Sequence, residues 1–282
     1  MCFAIAYAKV FWYNPCKETR KAGEDMHSKE EYIAVFDSGV GGISVLRELM
    51  ALMPQENYLY YGDSANAPYG DRPTAQVRQL TLAAADMLME RGVKALVVAC
   101  NTATAAAIKD LRQAYPDTVV IGIEPALKLA YDQFHNGRVG VMATQVTLRE
   151  EKFAQQLERF PDMQVSLIPA PGLVELIEAG KINDSQTEAL LQQLLSPYLG
   201  KLDALVLGCT HYPFVKEQIR KVLGEQTTLL DGSLGTARHT MHRLEEEGLL
   251  RQGQGSVQIE NSSADPALTL RAADLLGMEA TQ

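Results

Sequence analysis

Strand and helix signals that alternate and then repeat predict an α/β protein made of two pseudo-symmetric α/β domains, with mainly parallel sheets and a site in the cleft between them. Two observations carry this expectation. Short β-rich apolar runs alternate with amphipathic stretches, the pattern of parallel strands joined by crossover helices. In addition, LVVACNTAT at Leu96–Thr104 and LVLGCTHYP at Leu205–Pro213 each set a cysteine where an apolar strand gives way to a polar turn, 109 residues apart (209 − 100). TVVIG at Thr118 and TTLLD at Thr227 keep that offset, so the match covers a strand, a helix and a second strand. Upstream, IAVFDS from Ile33 resembles VGVMAT from Val139 at an offset of 106 (139 − 33), a slip expected where connecting loops differ in length.

Taken in order, the expected strands are Tyr32–Phe36, Asn57–Tyr61, Ala95–Ala99, Thr118–Ile123, Arg138–Met142, Gln164–Ile168, Ala204–Leu207 and Thr227–Leu230. A helix is expected over Thr74–Arg91, stopped by Gly92, and another over Thr147–Phe160, opened by a capping box of Thr147 and Glu150. Ser185 and Glu188 repeat that box ahead of a third helix. Boundaries fall near Ile123–Pro125 and Asp231–Gly235. Beyond them, Thr236–Leu250 and Asp265–Gly277 read as helices that return to the first half, with one edge strand in Gly253–Ser263. The expected division is 32–124 plus 233–282 for the first domain, 125–232 for the second, and 1–31 as a disordered N-terminal extension. Met26 opens a stretch that runs directly into the first strand, so translation from Met26 is the alternative for Met1–Asp25.

With 282 residues, 46% hydrophobic and 22% charged, the chain can fill one large or two modest cores. A formal charge of −9, with no basic patch outside the N-terminal tail, excludes a nucleic-acid surface, which needs clustered Lys and Arg. No apolar run reaches the ~18–20 residues that span a bilayer, so no membrane partner is expected. Cys2, Cys16, Cys100 and Cys209 form no CxxC pair and no disulfide framework, which points to a reducing cytoplasm.

In open parallel sheets ligands collect at the carboxyl ends of strands, where loops meet helix N-termini. The polar clusters of this chain lie at such ends: Asp37-Ser38-Gly39, Asp63 to Gly70, Cys100-Asn101-Thr102 and Cys209-Thr210-His211. They contain almost no Lys or Arg, so an anionic group would be held by backbone N–H groups, hydroxyls and helix dipoles, which suits a small carboxylate. The run DSGVGG is neither G-x-G-x-x-G nor a Walker A sequence, and there is no G-x-S-x-G or H-E-x-x-H; no metal set emerges from the five histidines. His211, two residues from Cys209, can take a thiol proton or stabilise a thiolate. Asp37 can contact an ammonium group or a thiol. Two thiols from opposite halves, facing across a cleft, could remove a proton from one side of a tetrahedral carbon and return one to the other. Adjacent donors lower a free thiol from its usual ~8.5, so thiol and thiolate can coexist, and N–H groups at Ser38, Asn101 and Thr210 could stabilise the carbanion.

The motifs FDSGVGG, YYGDSANAPYG, ACNTATA and GCTHYP, in this order and spacing, resemble those of the glutamate racemases. The resemblance runs from about Tyr32 through the C-terminal region. It implies two α/β domains and interconversion of L- and D-glutamate for peptidoglycan synthesis, with neither cofactor nor metal. It makes Cys100 and Cys209 the catalytic thiols, with Asp37, His211 and Glu178 as groups that tune them. It implies substrate contacts at Asp37, Ser38, Tyr69, Gly70, Asn101, Thr102, Thr210 and His211. The resemblance implies glutamate as the small-molecule partner, a cytoplasmic setting, and compatibility with a homodimer. An aspartate racemase, a thiol redox protein and a non-catalytic binding protein are the competing expectations. The intact mass of the natively expressed protein checks the start: translation from Met26 predicts loss of residues 1–25, and a mass that includes Met1 contradicts it.

Overall fold

In the computed structural model of the chain, residues 28–123, 126–149 and 151–277 are described; residues 1–27, which hold most of the expected extension, lie outside them. The first half runs β1 (Tyr32–Asp37), α1 (Ile43–Leu52), β2 (Asn57–Gly62), α2 (Thr74–Met89), β3 (Val93–Val98), α3 (Asn101–Ala114) and β4 (Val119–Gly122). The second runs α4 (Leu127–Gln133), β5 (Arg138–Ala143), α5 (Gln145–Arg149), α6 (Glu151–Glu158), β6 (Gln164–Pro169), α7 (Leu173–Glu178), α8 (Ser185–Leu195), β7 (Ala204–Leu207), α9 (Lys216–Leu223) and β8 (Thr228–Asp231). The chain then closes with α10 (Ser233–Glu246), β9 (Ser256–Asn261) and α11 (Pro266–Leu276).

Two fully parallel sheets result, in the orders β4-β3-β1-β2-β9 and β8-β7-β5-β6. The first four strands of each half therefore take the same spatial order, and β9 extends the first sheet at its β2 edge. Strands covered on both faces need apolar side chains on both, which is why they read as continuous hydrophobic runs. In β1, Ile33 and Val35 join α1, α10 and α11 on one face, while Ala34 and Phe36 meet α2 and α3 on the other. The second sheet does the same: Leu205 and Leu207 face α7, α8 and α9, and Ala204 and Val206 face α4 and α6.

Gly92 closes α2 with its backbone in the left-handed region (φ 75°), as the sequence predicts. Two expected caps differ. Thr147 lies inside α5, and its N–H donates to Thr144 Oγ1 at 3.3 Å, so Thr144 fills the capping position; Glu150, the other half of the expected box, is outside the described residues. Ahead of α8 the cap is Asp184, which accepts the Gln186 N–H at 2.8 Å, and Ser185 is the first helical residue. A carboxylate at that position also suits the positive end of the helix dipole. Among the described residues no helix is long and apolar enough to cross a membrane.

At the amino ends of the first sheet, Lys94 and Glu56 form an ion pair at 2.6 Å with both side chains fully buried. Lys94 Nζ also donates to the carbonyls of Lys29 and Leu249, and Glu56 accepts the Arg251 N–H at 2.8 Å. The pair thus ties β3 and the α1–β2 turn to the segment between α10 and β9. Removing one partner strands a buried charge, at a cost of about 3–5 kcal/mol, whereas replacing both can be neutral. Urea denaturation is expected to show a loss of that order in Lys94→Met and substantial recovery in Lys94→Met/Glu56→Leu; equal stability of the single variant and the parent would contradict this role.

Candidate functional site

Both cysteines are placed by strand ends. β3 ends at Val98 and delivers Cys100 as the N-cap of α3, where its Sγ accepts the Ala103 N–H at 3.4 Å and lies 3.5 Å from Ser38 Oγ. β7 ends at Leu207 and delivers Cys209 ahead of a 3₁₀ turn over Tyr212–Val215. The two thiols and the polar residues beside them line one cavity of about 160 Å³. That is below the ~300 Å³ at which pockets for drug-sized ligands begin and suits a small metabolite. Among the described residues no lysine or arginine lines it.

The structure brings Ser38, Tyr69, Gly70, Asn101, Thr102, Thr210, His211 and Glu178 to the lining of the same cavity as the two cysteines. Asp37 stands behind it, fully buried, with its carboxylate accepting the Gly39 N–H at 3.0 Å and the Thr210 hydroxyl at 3.1 Å. Tyr69 donates to Asp63 at 2.7 Å, which fixes the turn that presents Gly70. Asn101 lines the cavity, and its Oδ1 is buried with no hydrogen-bond partner.

Around Cys209 the groups form a chain. His211 Nδ1 is 3.7 Å from Cys209 Sγ, and its Nε2 is 3.0 Å from Glu178 Oε1, at the carboxyl end of α7. The Val40 N–H, from the other half, donates to the same Glu178 oxygen at 3.3 Å. Burial works against a charged His211, yet its hydrogen bonds to Cys209 and Glu178 outweigh that cost and raise its pKa well above the usual value. Burial likewise opposes the Glu178 carboxylate, and its His211 bond and the Val40 N–H overcome it, leaving the group below its usual range. An imidazolium can donate to thiol and carboxylate at once. Cys100 differs: burial, with the Asp37 charge beside it, pushes its thiol up to about 12 against the help of Ser38 and the Ala103 N–H. Burial raises Asp37 as well, with His211 opposing it.

Neither Thr144 nor Thr147 is among the site residues expected from the sequence, where Thr147 is expected only as a helix cap. Thr144 lines the cavity, and the hydroxyls of Thr102, Thr144 and Thr147 lie 3.0 to 3.5 Å from one another. The signal was present: in the pairing of IAVFDS with VGVMAT, Thr144 stands where Ser38 stands, so equivalent strand ends contribute equivalent hydroxyls. Among the described residues no group of three or more His, Cys, Asp and Glu could hold a metal ion.

Two parallel α/β sheets that present paired thiols at their carboxyl edges define a class, and comparison with known proteins agrees. Residues 43–240 match the family described as Asp/Glu/hydantoin racemase. The chain belongs to this family, on its glutamate racemase branch, and is an amino-acid racemase, an isomerase. It is 46% identical over 241 residues to a glutamate racemase of Clostridium perfringens, covering 84% of this chain and 93% of that one. The solved glutamate racemase of Thermus thermophilus, in complex with β-chloro-D-alanine, is 38% identical with a TM-score of 0.77 over 90% of this chain and 97% of that one. That of Francisella tularensis, in complex with D-glutamate, is 29% identical with a TM-score of 0.79 over 90% and 96%.

Because the Asp37 charge helps to raise Cys100, Asp37→Asn is expected to lower the thiol's pKa while leaving burial, the larger cause, in place. At pH 8 iodoacetamide should then label Cys100 faster in the variant than in the parent, as read by peptide mass mapping, since thiolate is the reacting form. An unchanged or slower rate would contradict the assignment.

Proposed function

We propose that the chain interconverts L- and D-glutamate without a cofactor, with Cys100 and Cys209 as the two proton carriers on opposite faces of the α-carbon. The observation that carries this reading is one small cavity, with no lysine or arginine among its described lining residues, into which the two halves each contribute a buried thiol from an equivalent strand end. The Francisella tularensis relative in complex with D-glutamate supports the choice of substrate.

For the direction that starts at Cys209, Cys100 is the neutral thiol and proton donor, and Cys209, beside the His211 imidazolium, is the proton acceptor. The Cys209 thiolate takes the α-proton and becomes a thiol. The electron pair left on the α-carbon delocalises into the substrate carboxylate, held by N–H groups at Asn101 and Thr210. Cys100 then gives its proton to the opposite face and becomes a thiolate. The configuration is inverted, one proton has moved in and one out, and the reverse direction starts from the exchanged protonation states. Asn101 Oδ1 accepts from the substrate ammonium, which helps to acidify the α-proton. The hydroxyl cluster of Thr102, Thr144 and Thr147, together with Gly70, receives the side-chain carboxylate; Ser38 and Tyr69 complete the wall. Asp37 acts through Thr210 and through its charge on Cys100, and Glu178 through His211. The cellular role that fits this activity is the supply of D-glutamate for peptidoglycan in the cytoplasm.

Circular dichroism of L-glutamate incubated with cofactor-free protein provides the test. Cys100→Ser and Cys209→Ser are each expected to slow racemisation by at least the ~10²–10⁴ assigned to one acid or base, and glutamate should be turned over in preference to aspartate. Near-full activity in either variant would exclude the two-thiol mechanism, and a preference for aspartate would exclude the substrate.

A further inference from the structure

The glycines of DSGVGG are not explained by the turn they make. Gly39 and Gly41 both lie outside the left-handed region, so alanine could adopt either backbone. Space sets the requirement instead. A Cβ on Gly39 would come within 1.8 Å of Glu178 Oε1, and one on Gly41 within 2.3 Å of His211 Nδ1 and 2.5 Å of Thr210 Oγ1. All three neighbours come from the second half of the chain.

We infer that Gly39 is a positioning residue for the Cys209 end of the site: its bare backbone is the floor on which the Glu178 carboxylate rests, so the first half holds Glu178 on His211 when the two halves are closed together. The floor cannot retreat. The Gly39 carbonyl accepts the Tyr60 hydroxyl at 2.7 Å, its N–H donates to Asp37 at 3.0 Å, and Gly62 packs directly against that carbonyl. The next residue, Val40, supplies the N–H that Glu178 accepts. A methyl group at position 39 therefore displaces the far end of Glu178, a flexible side chain, and little else. Cys100 has no such dependence, because Ser38 and the Ala103 N–H belong to its own half. Closure of the halves is in this way coupled to the preparation of one thiol and not the other.

This inference rests on the two-thiol reading, and the experiment separates the two. Gly39→Ala is expected to fold with an unchanged melting temperature and to lower kcat/KM by ~10–100-fold, the loss expected from displacing a positioned group by about an ångström. Its kcat/KM–pH profile should lose alkaline activity at lower pH than the parent, as Glu178→Gln does, because His211 is deprived of the partner that keeps it protonated. The double variant Gly39→Ala/Glu178→Gln should be no slower than Glu178→Gln alone. Parental kcat/KM and pH profile in Gly39→Ala, or losses that multiply in the double variant, would overturn the inference. Should Gly39→Ala be destabilised, the Glu178→Gln background decides it: a further loss there means that the methyl group acts on something other than Glu178. If Cys100→Ser or Cys209→Ser stays active, the two-thiol reading itself fails.

Discussion

A parallel sheet sends all of its strand-to-helix loops to one edge, and in this chain that constraint operates twice. Each half lays its strands in the same order, so Cys100 and Cys209 leave equivalent strands at equivalent places, as do Ser38 and Thr144. Directing the two edges to one cavity turns a repeated sequence into a site lined by a thiol from each half. Hydrogen bonds that join the halves, among them Thr210 to Asp37, the Val40 N–H to Glu178 and Thr102 to Thr144 and Thr147, lie within the site itself. Assembly of the site and contact between the halves are therefore one event.

Burial opposes the charged forms of Asp37, Cys100, Glu178 and His211, and what differs is whether a partner overcomes it. At Cys100 no cation is at hand and Asp37 adds its charge, so desolvation prevails and the thiol stays protonated. At His211 the hydrogen bonds to Cys209 and Glu178 prevail over desolvation and the ring carries a proton. One thiol thus keeps its proton, and the imidazole beside the other carries one. Two-sided proton transfer needs this asymmetry at the start of each turnover, and the near-symmetric fold produces it through unlike neighbours and not through unlike thiols.

Much of this was legible in the chain. The strands, the repeat offsets and the paired cysteines followed from apolar runs that both faces of a parallel sheet require. His211 was visible because it lies two residues from Cys209. Glu178, 33 residues from His211, reached the site list through resemblance, since nothing local marks a helical carboxylate that will meet an imidazole. Thr144 was not legible although the repeat places it opposite Ser38, because a lone hydroxyl at a strand end is far less distinctive than a thiol. The cap ahead of α8 was displaced by one residue, where Asp184 and Ser185 compete for one role and the carboxylate prevails. The Lys94–Glu56 pair gave no signal at all: its partners come from distant turns, and a lone Lys inside an apolar run does not reveal its counter-ion. The glycine run matches no nucleotide-binding motif, and neighbours from the other half explain why Gly39 and Gly41 have no side chains.

The central claim, that two carriers work on opposite faces of one carbon, is tested most directly in deuterated water. With L-glutamate as substrate and conversion kept low, the two-thiol account predicts α-deuterium in the D-glutamate formed and almost none in the L-glutamate that remains. Deuterium appearing in L-glutamate as fast as in D-glutamate would mean that a single group serves both faces, and the account would be wrong.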